Sequence, residues 1–266
     1  MKSIGFIGAG NMGFALAKAA ATRFPGVEIQ VIDTKAERVE LFRRELANVR
    51  AGSSAAGVAA AAQLTVLAVK PQDFAVVLAE LAGSPDLLVS IAAGVRLARM
   101  EQAMPRARVV RVAPNTPCLV AEMAAGYAFG ARVSEADKEL VREFLNAAGQ
   151  AVEVEGRLLD AVIGLSSSGP AFVARLMEAF IAAGTSLGLP AGVARELTLQ
   201  TFRGTAGLLQ QTGMDIQELV DMVSSPKGTT LAGRAVLEPS DLKEVILRTI
   251  EAAAHRAGEL AGSSSG

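Results

Sequence analysis

The sequence predicts an α/β fold: a doubly wound parallel sheet in the first half, followed by an all-helical second half. Three observations carry that reading. A strand–glycine turn–helix opens the chain, short apolar strands then alternate with helical stretches, and the alternation stops near residue 158. The boundaries that follow are 1–157 for a dinucleotide-binding domain and 158–266 for a helical domain.

Ile4, Phe6 and Ile7 read as a buried strand, and Phe14-Ala15-Leu16-Ala17-Lys18 as a helix. Between them Gly8, Gly10 and Gly13 form G-x-G-x-x-G, with Ala9, Asn11 and Met12 in the gaps. Gly8 permits the tight turn, Gly10 lets a pyrophosphate approach the backbone, and Gly13 lets helix and strand pack closely. The helix start then offers free N–H groups to the phosphates. A second strand, Val27 to Ile32, ends at Asp33, roughly 20 residues past the last glycine, where an acid meets the adenine ribose. Thr34, Lys35 and Arg38 follow at once. One carboxylate against two cations predicts that both nicotinamide cofactors are accepted, with a slight lean towards NADPH.

Further along, 35–42 reads as a helix, Val49-Arg50 as a short strand and 55–62 as a helix of small residues. A strand over 64–69 is stopped by Lys70-Pro71, and a helix covers 74–81. Strand 87–91, helix 97–104 and strand 107–112 complete the parallel sheet. Strands at 126–129 and 151–154 flank a helix starting at Ser134, with Asp137 its capping-box partner. From residue 158 helical periodicity dominates, predicting helices near 158–187, 191–212, 215–223, 230–238 and 241–259. They are rich in small residues such as Ala171, Ala174 and Gly184, which predicts close packing between two copies. The tail 262–266 reads as disordered.

Composition narrows the function. The chain has 266 residues, 51% hydrophobic and 4% aromatic, with a net charge of −1. That balance carries no footprint of a nucleic-acid binder. No apolar run is long enough to span a membrane, and the chain enters a strand at once, which argues against a signal peptide. A single cysteine, Cys118, and a single histidine, His255, exclude a Cys-rich metal site and predict no metal centre. A cytoplasmic location is the expectation. His255 lies in a solvated helical pattern, so a histidine base is not expected.

Chemistry has three possible seats. In Arg111-Val112-Ala113-Pro114-Asn115-Thr116-Pro117, prolines bracket Asn115, whose amide is aimed at a nicotinamide or a substrate. In Ser166-Ser167-Ser168-Gly169-Pro170, serines precede a helix as caps, and Pro170 suits its first turn. In Ser224-Ser225-Pro226-Lys227-Gly228-Thr229-Thr230, a Pro–Gly turn feeds a helix start with hydroxyls, a natural carboxylate cradle.

Together with Ala68-Val69-Lys70-Pro71-Gln72, Ser90-Ile91-Ala92-Ala93-Gly94 and Ser168-Gly169-Pro170-Ala171, these pieces resemble the pyrroline-5-carboxylate reductase family over essentially the whole chain. The resemblance implies a Rossmann domain, a helical dimerisation domain and reduction of pyrroline-5-carboxylate to L-proline with NADPH or NADH. It implies a homodimer or a higher homo-oligomer. Carried residue by residue, it places the substrate carboxylate against Ser225 and the amides of Gly228, Thr229 and Thr230, with Thr230 bonded to the ring nitrogen. Val69, Lys70, Pro71 and Asn115 line the nicotinamide end. The chain departs from the family at Ala113, where Met is usual, and at Ser167 and Lys227, where Gly is usual. The rivals are a 3-hydroxy-acid dehydrogenase, whose K-x-x-x-N helix is missing after Gly169-Pro170, and a nucleotide-sensing regulator without enzymatic activity.

Overall fold

The computed structural model describes residues 1–81 and 85–263. Among them, eight strands form one sheet in the order β3-β2-β1-β4-β5-β6-β7-β8. The strands are β1 (Ser3–Ile7), β2 (Glu28–Ile32), β3 (Val49–Ala51), β4 (Leu64–Leu67), β5 (Leu87–Ser90), β6 (Arg108–Ala113), β7 (Met123–Phe129) and β8 (Gly149–Glu153). The helices of the sheet half are α1 (Asn11–Arg23), α2 (Ala36–Glu45), α3 (Ala55–Ala60), α4 (Phe74–Glu80), α5 (Leu97–Ala103) and α6 (Glu135–Asn146).

The first six strands are parallel, as expected of a doubly wound sheet. β4 and β5 are buried at every position, which is why they read as unbroken apolar runs. The edge differs from the expected all-parallel sheet: β7 runs antiparallel to β6, pairing Ala113 with Gly126, and β8 then continues parallel to β7. The reversal follows from the short irregular link 114–122, too brief for a right-handed helical crossover.

Sequence order reverses where β1 lies beside β4, and the turns leaving these two strands flank a topological switch point. α1 is held there by a small-residue face of Gly13, Ala15, Ala17, Ala19 and Ala20. Phe42 of α2 meets Phe14 and Phe6 edge to face, at ring distances of 5.3 and 5.9 Å. α6 starts with the expected capping box, Ser134 with Asp137. The Asp137 carboxylate also takes the Arg108 guanidinium at 2.8 Å.

The helical stretch begins differently from the single helix expected over 158–187. A short α turn α7 (Leu159–Val162) runs into a π turn over 163–167, and α8 (Gly169–Ser186) starts afresh. α9 (Ala191–Thr212), α10 (Ile216–Met222), α11 (Thr229–Leu237) and α12 (Leu242–Ser263) follow. Gly262 and Ser263 thus continue the last helix, whereas disorder was expected; residues 264–266 of that expected tail lie outside the described residues.

By packing, the chain forms two compact units. The first comprises residues 1–170 and the stretch from 250 on; the second comprises 171–249. This division does not follow the change of sequence pattern at 157/158. Leu159 is fully buried against Ala113 and Ala128 of the sheet, and the end of α12 returns to the first unit. A Cβ on Gly164 would lie 2.7 Å from the Ile250 carbonyl, and one on Gly94 would touch Leu260. In the second unit α9 buries only Ala194 and Thr198, and α8, α10 and α11 bury none of their residues. Phe180 is 57% exposed although it stacks edge to face on Phe202.

Candidate functional site

The glycine turn has the build its spacing predicted. Gly8 sits at φ +97°, and its N–H reaches the Ile32 carbonyl at 2.9 Å. A Cβ at Gly8 would lie 2.5 Å from the Ala68 carbonyl oxygen, so the chain closes around this residue. A Cβ at Gly13 would lie 2.8 Å from the Gly8 carbonyl. Gly10, in contrast, caps α1 in an extended conformation with open space where a Cβ would stand. Asn11 and Met12 open α1, so its unpaired first amides border that space. The arrangement fits a dinucleotide pyrophosphate: backbone donors at a helix N-terminus, beside a position only a hydrogen atom leaves free.

Asp33 is tied into the turn. Its Oδ2 accepts from the Ala9 N–H at 2.6 Å and its Oδ1 from the Lys35 N–H at 2.9 Å. These bonds fix the carboxylate at the end of β2, facing an open cleft of about 580 Å³. Ile32, Thr34, Ser53, Ser54 and Glu80 share its wall. Lys35, the second residue after Asp33, is exposed and precedes α2. Arg38 reaches across to Asn11 at the start of α1, its Nη1 donating to Oδ1 at 3.0 Å.

Across the switch point, β4 ends two residues earlier than expected. Ala68 N–H still donates to the Ile7 carbonyl at 2.8 Å, but Val69 and Lys70 leave the ladder and Pro71 opens a single helical turn. The ladder stops where its partner does: β1 ends at Ile7, opposite Leu67, and the chain then passes close to the Gly8 turn at Ala68. Gly8, Gly10, Asn11, Met12, Gly13, Asp33, Thr34, Lys35, Val69, Lys70 and Pro71 therefore all lie in the turns leaving β1, β2 and β4 or in the helical turn that directly follows.

Asn115 behaves differently from the expectation. It is 6% exposed, and its amide points into the protein rather than towards a ligand. Its Oδ1 accepts from Ala124 N–H at 2.9 Å and its Nδ2 donates to the Ser166 carbonyl at 3.2 Å. Ser166 does not cap α8 either; its hydroxyl donates to the Ala124 carbonyl at 2.6 Å. Asn115 and Ser166 thus brace the reversal between β6 and β7 against the π turn. The Ser167 hydroxyl is buried with no partner among the described residues. Nearby, Arg111 is 4% exposed and pairs with Asp160 at 3.4 Å; burial lowers its pKa and Asp160 offsets part of the loss. Sequence reasoning missed this pair, because a single arginine in an apolar strand gives no sign of its partner.

The Ser225–Thr230 group lies in the second unit. The Gly228 N–H donates to the Ser225 carbonyl at 2.9 Å, closing a tight turn whose third residue, Lys227, has φ +62°. Gly228 then caps α11 without a side chain, leaving the first-turn amides, including Thr229 and Thr230, at the helix end. A Cβ at Gly228 would lie 2.4 Å from the Ser225 hydroxyl oxygen. Behind the turn, Arg234 donates to the Ser224 hydroxyl at 3.0 Å. Backbone amides plus the hydroxyls of Ser225, Thr229 and Thr230 suit a small carboxylate. Elsewhere, His255 is 78% exposed on α12 and lies 3.1 Å from the Glu259 carboxylate. Among the described residues no three His, Cys, Asp or Glu side chains cluster to hold a metal, and no helix is long and apolar enough to cross a membrane.

A doubly wound sheet with a phosphate-ready turn at its switch point, followed by helices with little core of their own, defines a dinucleotide-dependent oxidoreductase of the Rossmann type. The family model described as pyrroline-5-carboxylate reductase dimerisation matches residues 156–260, and one described as NADP oxidoreductase, coenzyme F420-dependent, matches residues 3–94. A pyrroline-5-carboxylate reductase from Synechocystis sp. is 37% identical over 261 residues, 97% of either chain. The solved pyrroline-5-carboxylate reductase from Coxiella burnetii superposes with a TM-score of 0.91 at 31% identity, covering 97% of both chains. That from Plasmodium falciparum, solved with NADP bound, gives 0.82 at 29% identity and 98% coverage of both. The chain belongs to the pyrroline-5-carboxylate reductase family.

Proposed function

We propose that this chain reduces 1-pyrroline-5-carboxylate to L-proline with NAD(P)H, the last step of proline biosynthesis. The observation that carries the proposal is the likeness to named reductases over 97% of both chains; the two family models span the glycine turn and the Ser225–Thr230 turn.

The substrate is a small cyclic imine bearing a carboxylate. Its imine carbon takes a hydride and its ring nitrogen a proton, so that C=N becomes a secondary amine. When bound, the reduced nicotinamide supplies that hydride. The chain's own task is to hold and orient. Gly8, Gly10, Asn11, Met12 and Gly13 bind the pyrophosphate, Asp33, Thr34 and Lys35 the adenosine end, and Val69, Lys70 and Pro71 the nicotinamide end. Asn115 supports that end from behind. Ser225 and the amides of Gly228, Thr229 and Thr230 hold the substrate carboxylate, and the Thr230 hydroxyl bonds the ring nitrogen. A surface His255 is consistent with a reaction that needs no histidine base.

Residues 1–157 are read as the cofactor half and 158–266 as the half through which two copies pair, into a dimer or a higher oligomer. The exposed apolar side chains of 171–249 support that pairing. The reaction is placed in the cytoplasm. Incubating the protein with NAD(P)H and pyrroline-5-carboxylate should consume reduced cofactor and form proline in equal amounts. Tight cofactor binding without turnover would refute the enzyme and favour a nucleotide sensor.

A further inference from the structure

The sequence leans towards NADPH because two cations follow Asp33, but neither of them lines the cleft at the end of β2. Arg38 is bonded to Asn11 at the start of α1. Among the described residues that do line it are two carboxylates, Asp33 and Glu80, three hydroxyls and no cation. The Asp33 carboxylate cannot easily swing aside, since both of its oxygens are held by backbone amides. Glu80, at the end of α4, adds a second negative charge from another element.

A ribose 2′-hydroxyl is a donor that a carboxylate accepts. A 2′-phosphate carries nearly two negative charges and offers only acceptors. We propose that this cleft selects NADH over NADPH, and that Glu80 is a specificity-determining residue acting together with Asp33. The proposal rests on the dinucleotide reading above and refines it. Glu80 is the better handle experimentally, because replacing Asp33 would also release the turn that it braces.

The test is equilibrium titration of the full chain with NADH and NADPH by nucleotide fluorescence, with competition by 5′-AMP and 2′,5′-ADP to report the adenosine end alone. In the unaltered protein NADH should bind about tenfold more tightly than NADPH, and 5′-AMP more tightly than 2′,5′-ADP, since each partly exposed charge pair is worth up to about fivefold. Glu80→Gln should narrow both ratios by about threefold, through tighter binding of the phosphorylated member. Glu139→Gln, on α6 by the opposite edge of the sheet, should leave them unchanged. Equal or tighter binding of NADPH by the unaltered protein would overturn the proposal while leaving the dinucleotide reading intact. So would a Glu80→Gln protein of normal melting temperature with unaltered ratios, or an equal response in Glu139→Gln. Failure to bind either cofactor would remove the dinucleotide reading and the proposal with it.

Discussion

Gly10 and Gly8 stand two residues apart, yet alanine should affect them in opposite ways. At Gly10 the backbone is extended, at φ −66° and ψ 176°, and an added methyl meets nothing within 4 Å. Folding should therefore be unchanged, or stabilised by up to about 1 kcal/mol through the less flexible unfolded chain. The methyl would fill the space through which a pyrophosphate reaches the α1 amides. Losing one charge-assisted hydrogen bond of about 1.5–3 kcal/mol weakens binding roughly 10- to 100-fold. At Gly8 the methyl would press on the Ala68 carbonyl oxygen at 2.5 Å and carbon at 2.7 Å, both backbone atoms, at φ +97°. The left-handed conformation alone costs about 1–2 kcal/mol, and the clash should bring the loss above about 3 kcal/mol. Thermal melts and NADH titration of both variants separate the two roles. If Gly10→Ala melts normally and binds NADH normally, the open space above Gly10 is not where the phosphates pass.

Thr230→Ala should lower kcat by about 10-fold or more while leaving NADH affinity within about twofold, in steady-state kinetics and titration respectively; an unchanged kcat removes Thr230 from the reaction. Lys227→Gly should stabilise the chain by about 1 kcal/mol in urea unfolding, by relieving the left-handed conformation, offset partly by a freer unfolded chain. Phe180→Glu should raise the dimer dissociation constant at least about tenfold in sedimentation equilibrium, since burying a phenylalanine is worth about 1.5–3 kcal/mol. Cys118 is buried, and desolvation pushes its thiol up to about 11. It should resist alkylation at pH 8. Because its folded pKa lies above the unfolded one, its contribution to stability is full below the unfolded pKa and is lost as pH rises through 11. Cys118→Ala should flatten that alkaline decline in denaturant titrations.

The parts that announced themselves in the sequence are those set by local chemistry. The glycine spacing, the Ser134–Asp137 capping box and the apolar runs of β4 and β5 each record a constraint satisfied within a few residues. Strand direction is not such a constraint. Met123-Ala124-Ala125-Gly126 has little β-branched character, and its pairing with β6 depends on a link whose reversal is stabilised by Asn115, itself bonded to Ser166 far along the chain. For the same reason Asn115 looked like a ligand-facing amide: spacing puts it at the sheet's carboxyl edge but does not say which way the side chain turns. Adjacency in sequence counts Lys35 and Arg38 near Asp33 but cannot count Glu80, which another helix brings to the cleft.

The return of α12 to the first unit bears on how the chain folds. Gly164 closes on Ile250, and Asp160 lies beside Gly258, only after the whole of 171–249 has been made. On a ribosome the sheet half would wait, its α7 face uncovered, while the helical insert emerges. Contacts so far apart in sequence are slow to form and leave an aggregation-prone intermediate in the interval. A circular permutant that carries residues 250–263 ahead of Met1 would make the same contacts more local, and refolding of the sheet half should then no longer depend on the helices between.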